Sequence, residues 1–153
     1  RFEYQRTNAV WSEVEQNIAR FKQLRSQHNN IQLQCCTTVN VFNVRYIDAV
    51  ARWIVTQGFD FVYWNMMHDS WYFSIATLPE LAKKGIESWL RNADIPAQYR
   101  DEFDRIIDFM NRGASTDGFM LRMKIADLDR KRGQDLRAVA PEFSDLIDYY
   151  FEG

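Results

Sequence analysis

The chain holds only two cysteines, three prolines and six glycines in 153 residues, and each scarcity removes a class of protein. Two adjacent cysteines, Cys35 and Cys36, cannot form a disulfide framework, so a reducing cytoplasm is the expected compartment. So few glycines and prolines exclude a collagenous or low-complexity chain. No apolar run approaches the roughly 20 residues that span a bilayer, and no membrane partner is expected. The N-terminal stretch does not follow the charged, apolar, small-residue order of a signal peptide. A net charge of −2 gives no basic excess with which to displace counterions, so nucleic acid is not expected as a partner either.

What the chain has instead is apolar and aromatic side chains. Hydrophobic residues make up 46% of it, and 5 Trp, 7 Tyr and 11 Phe are present, enough for one globular domain with a sizeable core. The charges are uneven. Between Asn29 and Pro79 only Arg45, Asp48, Arg52, Asp60 and Asp69 carry charge, whereas charged residues crowd the stretch from Arg100 to Gly153. A buried first half and a solvated second half are expected.

Trp11, Val14, Ile18, Phe21 and Leu24 recur at helical spacing after a cap at Thr7 or Asn8. From Ile31 to Asn40 apolar or small residues alternate with polar ones, which is a strand period. Ile47, Val50, Ala51, Ile54 and Val55 mark a second helix, closed by Gln57-Gly58 with the glycine a left-handed cap prefers. Phe59 to Trp64 reads as a second strand. Helix, strand, helix, strand with short connections is the pattern of parallel α/β units, and Phe2 to Gln5 reads as an extended stub where a preceding strand would lie. After Leu78-Pro79 the chain turns helical. Pro79 sits at a first-turn position with Leu81, Ile86, Trp89 and Leu90 on one face. Tyr99, Phe103, Ile106, Ile107 and Met110 form the next stripe, ended by Arg112-Gly113. Ser115 or Asp117 caps a helix bearing Phe119, Met123 and Leu128, and Pro141-Glu142 opens a last one with Phe143, Leu146, Ile147 and Tyr150.

The first strand raises the functional question, because a strand covered on both sides is apolar on both faces and this one is polar on its even positions. Either it is an edge strand wetted on that side, or the polar side faces the interior of a parallel barrel, with ligands at the C-terminal strand ends, here Thr37, Thr38, Asn40 and Asn43. The loop Asn65 to Tyr72 follows the second strand, where α/β sites form. There His68 could serve as acid, base or ligand, and Trp71 or Tyr72 could stack on a ring; the alternative is an aromatic plug with His68 hydrogen-bonded. Two separated histidines and two neighbouring cysteines make no zinc set, since Cys35 and Cys36 point to opposite faces of a strand. No CxxC, HExxH, nucleophile elbow or glycine-rich phosphate loop occurs. Carboxylates of the runs Asp101-Glu102-Asp104 and Asp127-Asp129 alternate with Arg105, Arg130, Lys131 and Arg132 at spacings that include i,i+3 and i,i+4 pairs, as on solvated helix faces.

The ordered set Phe2-Glu3-Tyr4-Gln5-Arg6, Trp11, Val14, Asn17-Ile18, Thr37 to Asn43, Phe61 to His68, Trp71 to Ile75, Leu78-Pro79 and Pro141-Glu142-Phe143 resembles the later part of a radical S-adenosylmethionine barrel. It is most similar to the phage and bacterial members that carry a twitch domain, over nearly the whole sequence. The resemblance implies a parent that binds a [4Fe–4S] cluster through CxxxCxxC, takes electrons from a donor protein, and reduces S-adenosylmethionine to a 5′-deoxyadenosyl radical that abstracts hydrogen from a small-molecule or peptide substrate. That cysteine triad is absent here. The resemblance therefore implies an α/β fragment: residues 1–78 as the last strands and helices of a partial parallel (β/α) barrel, residues 79–153 as a helical C-terminal extension. It further implies cofactor contacts from Arg6, Thr38, Asn40 and Asn43, and substrate contacts from Asn65, His68, Trp71 and Tyr72. An arginine suits a carboxylate, and an amide both donates to and accepts from ribose hydroxyls. The start at Arg1 is expected to reflect truncation. The competing expectation is a self-contained, non-enzymatic interaction module that docks a partner through the aromatic loop Trp64 to Tyr72. A hydrolase built on His68 and Asp69 lacks a nucleophile or metal partner and ranks last.

Overall fold

A computed structural model describes residues 1–143, an α/β chain that is mostly helical around one two-stranded parallel sheet. The order is α1 (Phe2–Gln5), α2 (Trp11–Gln27), β1 (Gln34–Val39), α3 (Ile47–Gln57), β2 (Phe61–Met66), α4 (Glu80–Asn92), α5 (Arg100–Arg112), α6 (Phe119–Arg132) and α7 (Leu136–Val139). The two strands run in register from Gln34 opposite Phe61 to Val39 opposite Met66. The coarse expectation of an α/β chain with a helical second half stands. A closed or half-closed barrel is more than two strands establish among the described residues.

The parallel unit forms for the reasons its sequence carries. Gly58 closes α3 at φ 63°, a conformation that costs glycine nothing. Ile47, Ala51 and Ile54, at helical spacing, are buried in the same core as Val39 and Trp64. The turn into β2 is held by Asp60, whose carboxylate accepts from the Leu33 backbone N–H at 2.7 Å and from Arg25 at 2.9 Å. These donors hold the Asp60 carboxyl below its ordinary range, the Leu33 N–H most strongly.

The second half supplies a dense core. Ile86 and Leu90 of α4 and Phe103, Ile106, Ile107 and Met110 of α5 are buried, and Trp64 of β2 meets the rings of Tyr99 and Phe103 edge-on at 5.5 and 6.0 Å. Residues Ala76 to Lys83 are fastened to the segment after α5. Thr116 donates through both its backbone N–H and its hydroxyl to the Thr77 carbonyl, and the Lys83 ammonium donates to the Gly113 carbonyl at 2.7 Å.

Several expectations are corrected. Phe2 to Gln5 is a helical turn rather than an extended stub, and its Glu3 carboxylate reaches back to accept the Trp11 N–H at 3.0 Å. That contact serves the start of α2, which begins after Val10 and not at Thr7 or Asn8. Pro79 precedes α4 as its cap residue. Leu81, Phe119 and Met123, placed on buried stripes by their spacing, are exposed; α4 turns Ala82 inward instead, and α6 turns Leu121 and Ile125. Asp117 does serve the start of α6, accepting from the Phe119 N–H at 2.9 Å. Leu136 to Val139 forms a short helix that periodicity did not reveal. Leu146, Ile147 and Tyr150 lie outside the described residues.

The expected burial contrast also fails. Helix α2 buries none of its residues, and the charge-poor sheet leaves one whole face open. Low charge there goes with a neutral surface rather than with burial.

Candidate functional site

Alternation along two parallel strands in register sorts their side chains into two faces. Cys35, Thr37 and Val39 lie opposite Val62, Trp64 and Met66, and this face packs into the core. Gln34, Cys36 and Thr38 lie opposite Phe61, Tyr63 and Asn65 on the other face. Phe61 and Tyr63 are 43% and 50% exposed there, and no residue of that face is Asp, Glu, Lys or Arg. Asn65, which is exposed, donates from Nδ2 to the Cys36 Sγ across the strands at 2.8 Å. Cys35, on the core side, has its thiol pushed up by burial.

The residues singled out by sequence fall into three groups. Thr38 and Asn65 are cross-strand neighbours on the open face. Asn40 and Asn43 are buried at the end of β1 and tied to the chain itself. Asn43 accepts from the Asn40 N–H at 2.9 Å and donates to the Thr38 carbonyl at 2.8 Å, while Asn40 accepts from the Phe42 N–H at 2.8 Å. Their first task is to fold the strand end, as asparagines do in turns. The Asn40 amide N–H groups also approach Gln5 Oε1 at 3.4 Å. Gln5 donates onward to the Tyr46 hydroxyl at 2.5 Å, whose pKa burial pushes up to about 12. Arg6, at the end of α1, is exposed.

The third group sits in the loop after β2. That loop is anchored to β1, because Met67 N–H donates to the Val39 carbonyl and Val41 N–H to the Phe73 carbonyl, each at 3.0 Å. His68 is exposed and meets Phe109 of α5 edge-on at 5.2 Å. Ser70 takes a left-handed φ of 55°, a strained setting for a side chain that is not glycine. It starts the helical turn Trp71–Phe73. Trp71 remains 48% exposed, whereas Tyr72 lies between the Trp71 and Phe73 rings with the Lys124 ammonium 5.3 Å above it.

Periodicity did not single out Phe61, Tyr63, Gln34 or Cys36, and these complete the open face around Thr38 and Asn65. The signal was present in β2: exposed Phe61, Tyr63 and Asn65 alternate with Val62, Trp64 and Met66. It is masked because both sets are mostly apolar or aromatic.

For the cofactors that the resemblance implies, the donor sets differ in fit. Among the described residues no group of three or more His, Cys, Asp or Glu side chains converges, so these residues do not fit an iron–sulfur cluster. Thr38 and Asn65 fit a hydroxyl-bearing ligand, while Asn40 and Asn43 have their best hydrogen bonds committed to the turn. Among the described residues no helix is long and apolar enough to cross a membrane. No family model, no curated protein and no solved structure matches the chain.

Proposed function

We propose that this chain is the C-terminal part of a radical S-adenosylmethionine enzyme, in which residues 1–78 form barrel wall and the remainder a helical cover. The observation that carries this reading is the β1–α3–β2 unit. It is a parallel pair joined by a crossover helix, with one face packed into the core and the other bare and neutral, bearing the exposed Phe61 and Tyr63, and with Thr38 and Asn65 together toward the C-terminal strand ends, where parallel α/β sites lie. The cluster and its reducing chemistry belong to the CxxxCxxC segment of the parent. This chain's own residues supply the neutral wall, the rigid strand end made by Asn40 and Asn43, and the His68 to Tyr72 loop as a substrate-facing rim. Arg6 supplies a cation for a carboxylate.

The test is the longer polypeptide. The coding sequence upstream of Arg1 should encode CxxxCxxC, and the joined protein, reconstituted with iron and sulfide without oxygen, should release 5′-deoxyadenosine from S-adenosylmethionine. An upstream sequence without that triad overturns the proposal. The exposed Trp71 favours the second reading, a self-contained module whose aromatic loop docks a partner protein; loss of a captured partner on Trp71→Ala, in a chain without the upstream triad, would establish it.

A further inference from the structure

The open sheet face has a composition of its own, and what it excludes is as informative as what it holds. Its six side chains are Gln34, Cys36 and Thr38 opposite Phe61, Tyr63 and Asn65. None is an Asp, Glu, Lys or Arg, so the face itself offers no counter-charge to a phosphate or carboxylate group. The two rings stand on one strand two residues apart, about 6.6 Å along it, and roughly half of each is accessible. At the ends of this aromatic strip sit groups that both donate and accept: the Gln34 amide at one end, the Thr38 hydroxyl and the Asn65 amide at the other. Such groups complement hydroxyls, which also donate and accept.

We infer that this face binds a neutral saccharide, two sugar rings lying against Phe61 and Tyr63 with their hydroxyls bonded to Gln34, Thr38 and Asn65. Sugar rings present C–H groups to an aromatic face, and polar partners at both ends of the strip suit a ligand with hydroxyls along its length better than a single flat base. The inference rests on the proposed reading of this face as substrate-facing, and it names the substrate class.

The experiment uses the 153-residue chain, labelled with 15N, titrated with maltose, cellobiose, lactose and N,N′-diacetylchitobiose. In parallel arms it meets adenosine, adenosine monophosphate and S-adenosylmethionine. One or more of the disaccharides should move the amide signals of Cys36, Thr38, Phe61, Tyr63 and Asn65 and leave α4 and α5 unmoved. Tyr63→Thr, which keeps a strand-forming residue, should weaken binding about tenfold, the scale of one lost ring contact, and Tyr63→Trp should retain it. No movement on this face with any disaccharide overturns the inference. So does stronger binding of adenosine, its phosphate or S-adenosylmethionine, which assigns the face to a base or to the cofactor. Movement of the same signals on concentration without ligand assigns it to a second copy of the chain and overturns it too. If Tyr63→Thr does not fold, retained binding in Asn65→Leu and Gln34→Leu together overturns it equally. Saccharide binding by a chain whose upstream sequence lacks CxxxCxxC would refute the enzyme reading alone; radical chemistry without saccharide binding would refute only this inference.

Discussion

The sheet half and the helical half of this chain differ in how much apolar surface they leave open. In α4 and α5 Ile86, Leu90, Ile106 and Met110 are fully enclosed, while charges line the outer surface in pairs such as Glu87–Arg91 and Glu102–Arg105. In α2 nothing is buried. Phe21 and Leu24 of that helix and Val10 just before it lie open, as do Phe61 and Tyr63 of the sheet. Neither strand carries a charge or a proline, the usual guards of a free edge. The difference teaches where apolar surface is left open: on α2 and one face of the sheet, whereas α3, α4, α5 and the other sheet face share one core.

Four variants test that contrast, in order of expected effect. Phe103→Ala empties a fully buried position beneath Trp64 and should cost about 3–5 kcal/mol in denaturant unfolding, with the sheet losing its support together with α5. Gly113→Ala places a methyl about 2.5 Å from the Ala76 carbonyl oxygen. Because that neighbour is backbone and is fastened through Thr77 to Thr116, a loss of about 1–3 kcal/mol is expected, read as a lower melting temperature.

Lys83 gives a pH test. Its side chain is 2% exposed and burial lowers its pKa from the ordinary 10.5. The unfolded chain therefore holds this proton more tightly than the folded one, and its contribution to stability rises with pH between the lowered value and about 10.5. Melting curves of the parent chain and Lys83→Met across the alkaline range should converge or cross in the parent's favour as pH rises; parallel curves would contradict the assignment. The smallest effect belongs to the exposed stripe of α2. Phe21→Ser with Leu24→Ser should change stability by no more than about 0.5 kcal/mol each while reducing the binding of an apolar dye. A cost comparable to that of Phe103→Ala would show that α2 belongs to the core.

The strands and the longer helices were legible because their periods are strong and their ends carry signals, Gly58 after α3 and Gly113 after α5 among them. Tyr99 to Met110 needed nothing else. Burial was less legible. Phe21 and Leu24 have the right spacing for a core stripe, yet spacing states which residues share a face and not whether anything covers it. Alternation made Thr38 a site candidate, and the structure sets it beside Asn65 through the register of two strands 27 residues apart, a pairing no local pattern contains. Asn40 and Asn43 stood out as polar residues at a strand end, but the same short amides that suit a ligand also bond their own backbone, and only coordinates show which they do. Phe61 and Tyr63 were hidden because aromatic residues occupy both faces of β2.

Residue-resolved amide hydrogen exchange on the 153-residue chain tests the contrast most directly. The account predicts that amides of α4 and α5 exchange only through global unfolding, whereas those of α2 and of the open edges of β1 and β2 exchange by local opening at least one order of magnitude faster, roughly the span between core and surface elements. Uniform protection across α2, β1, β2, α4 and α5 would contradict it, and would place α2 and the sheet edges inside the same cooperative unit as α4 and α5.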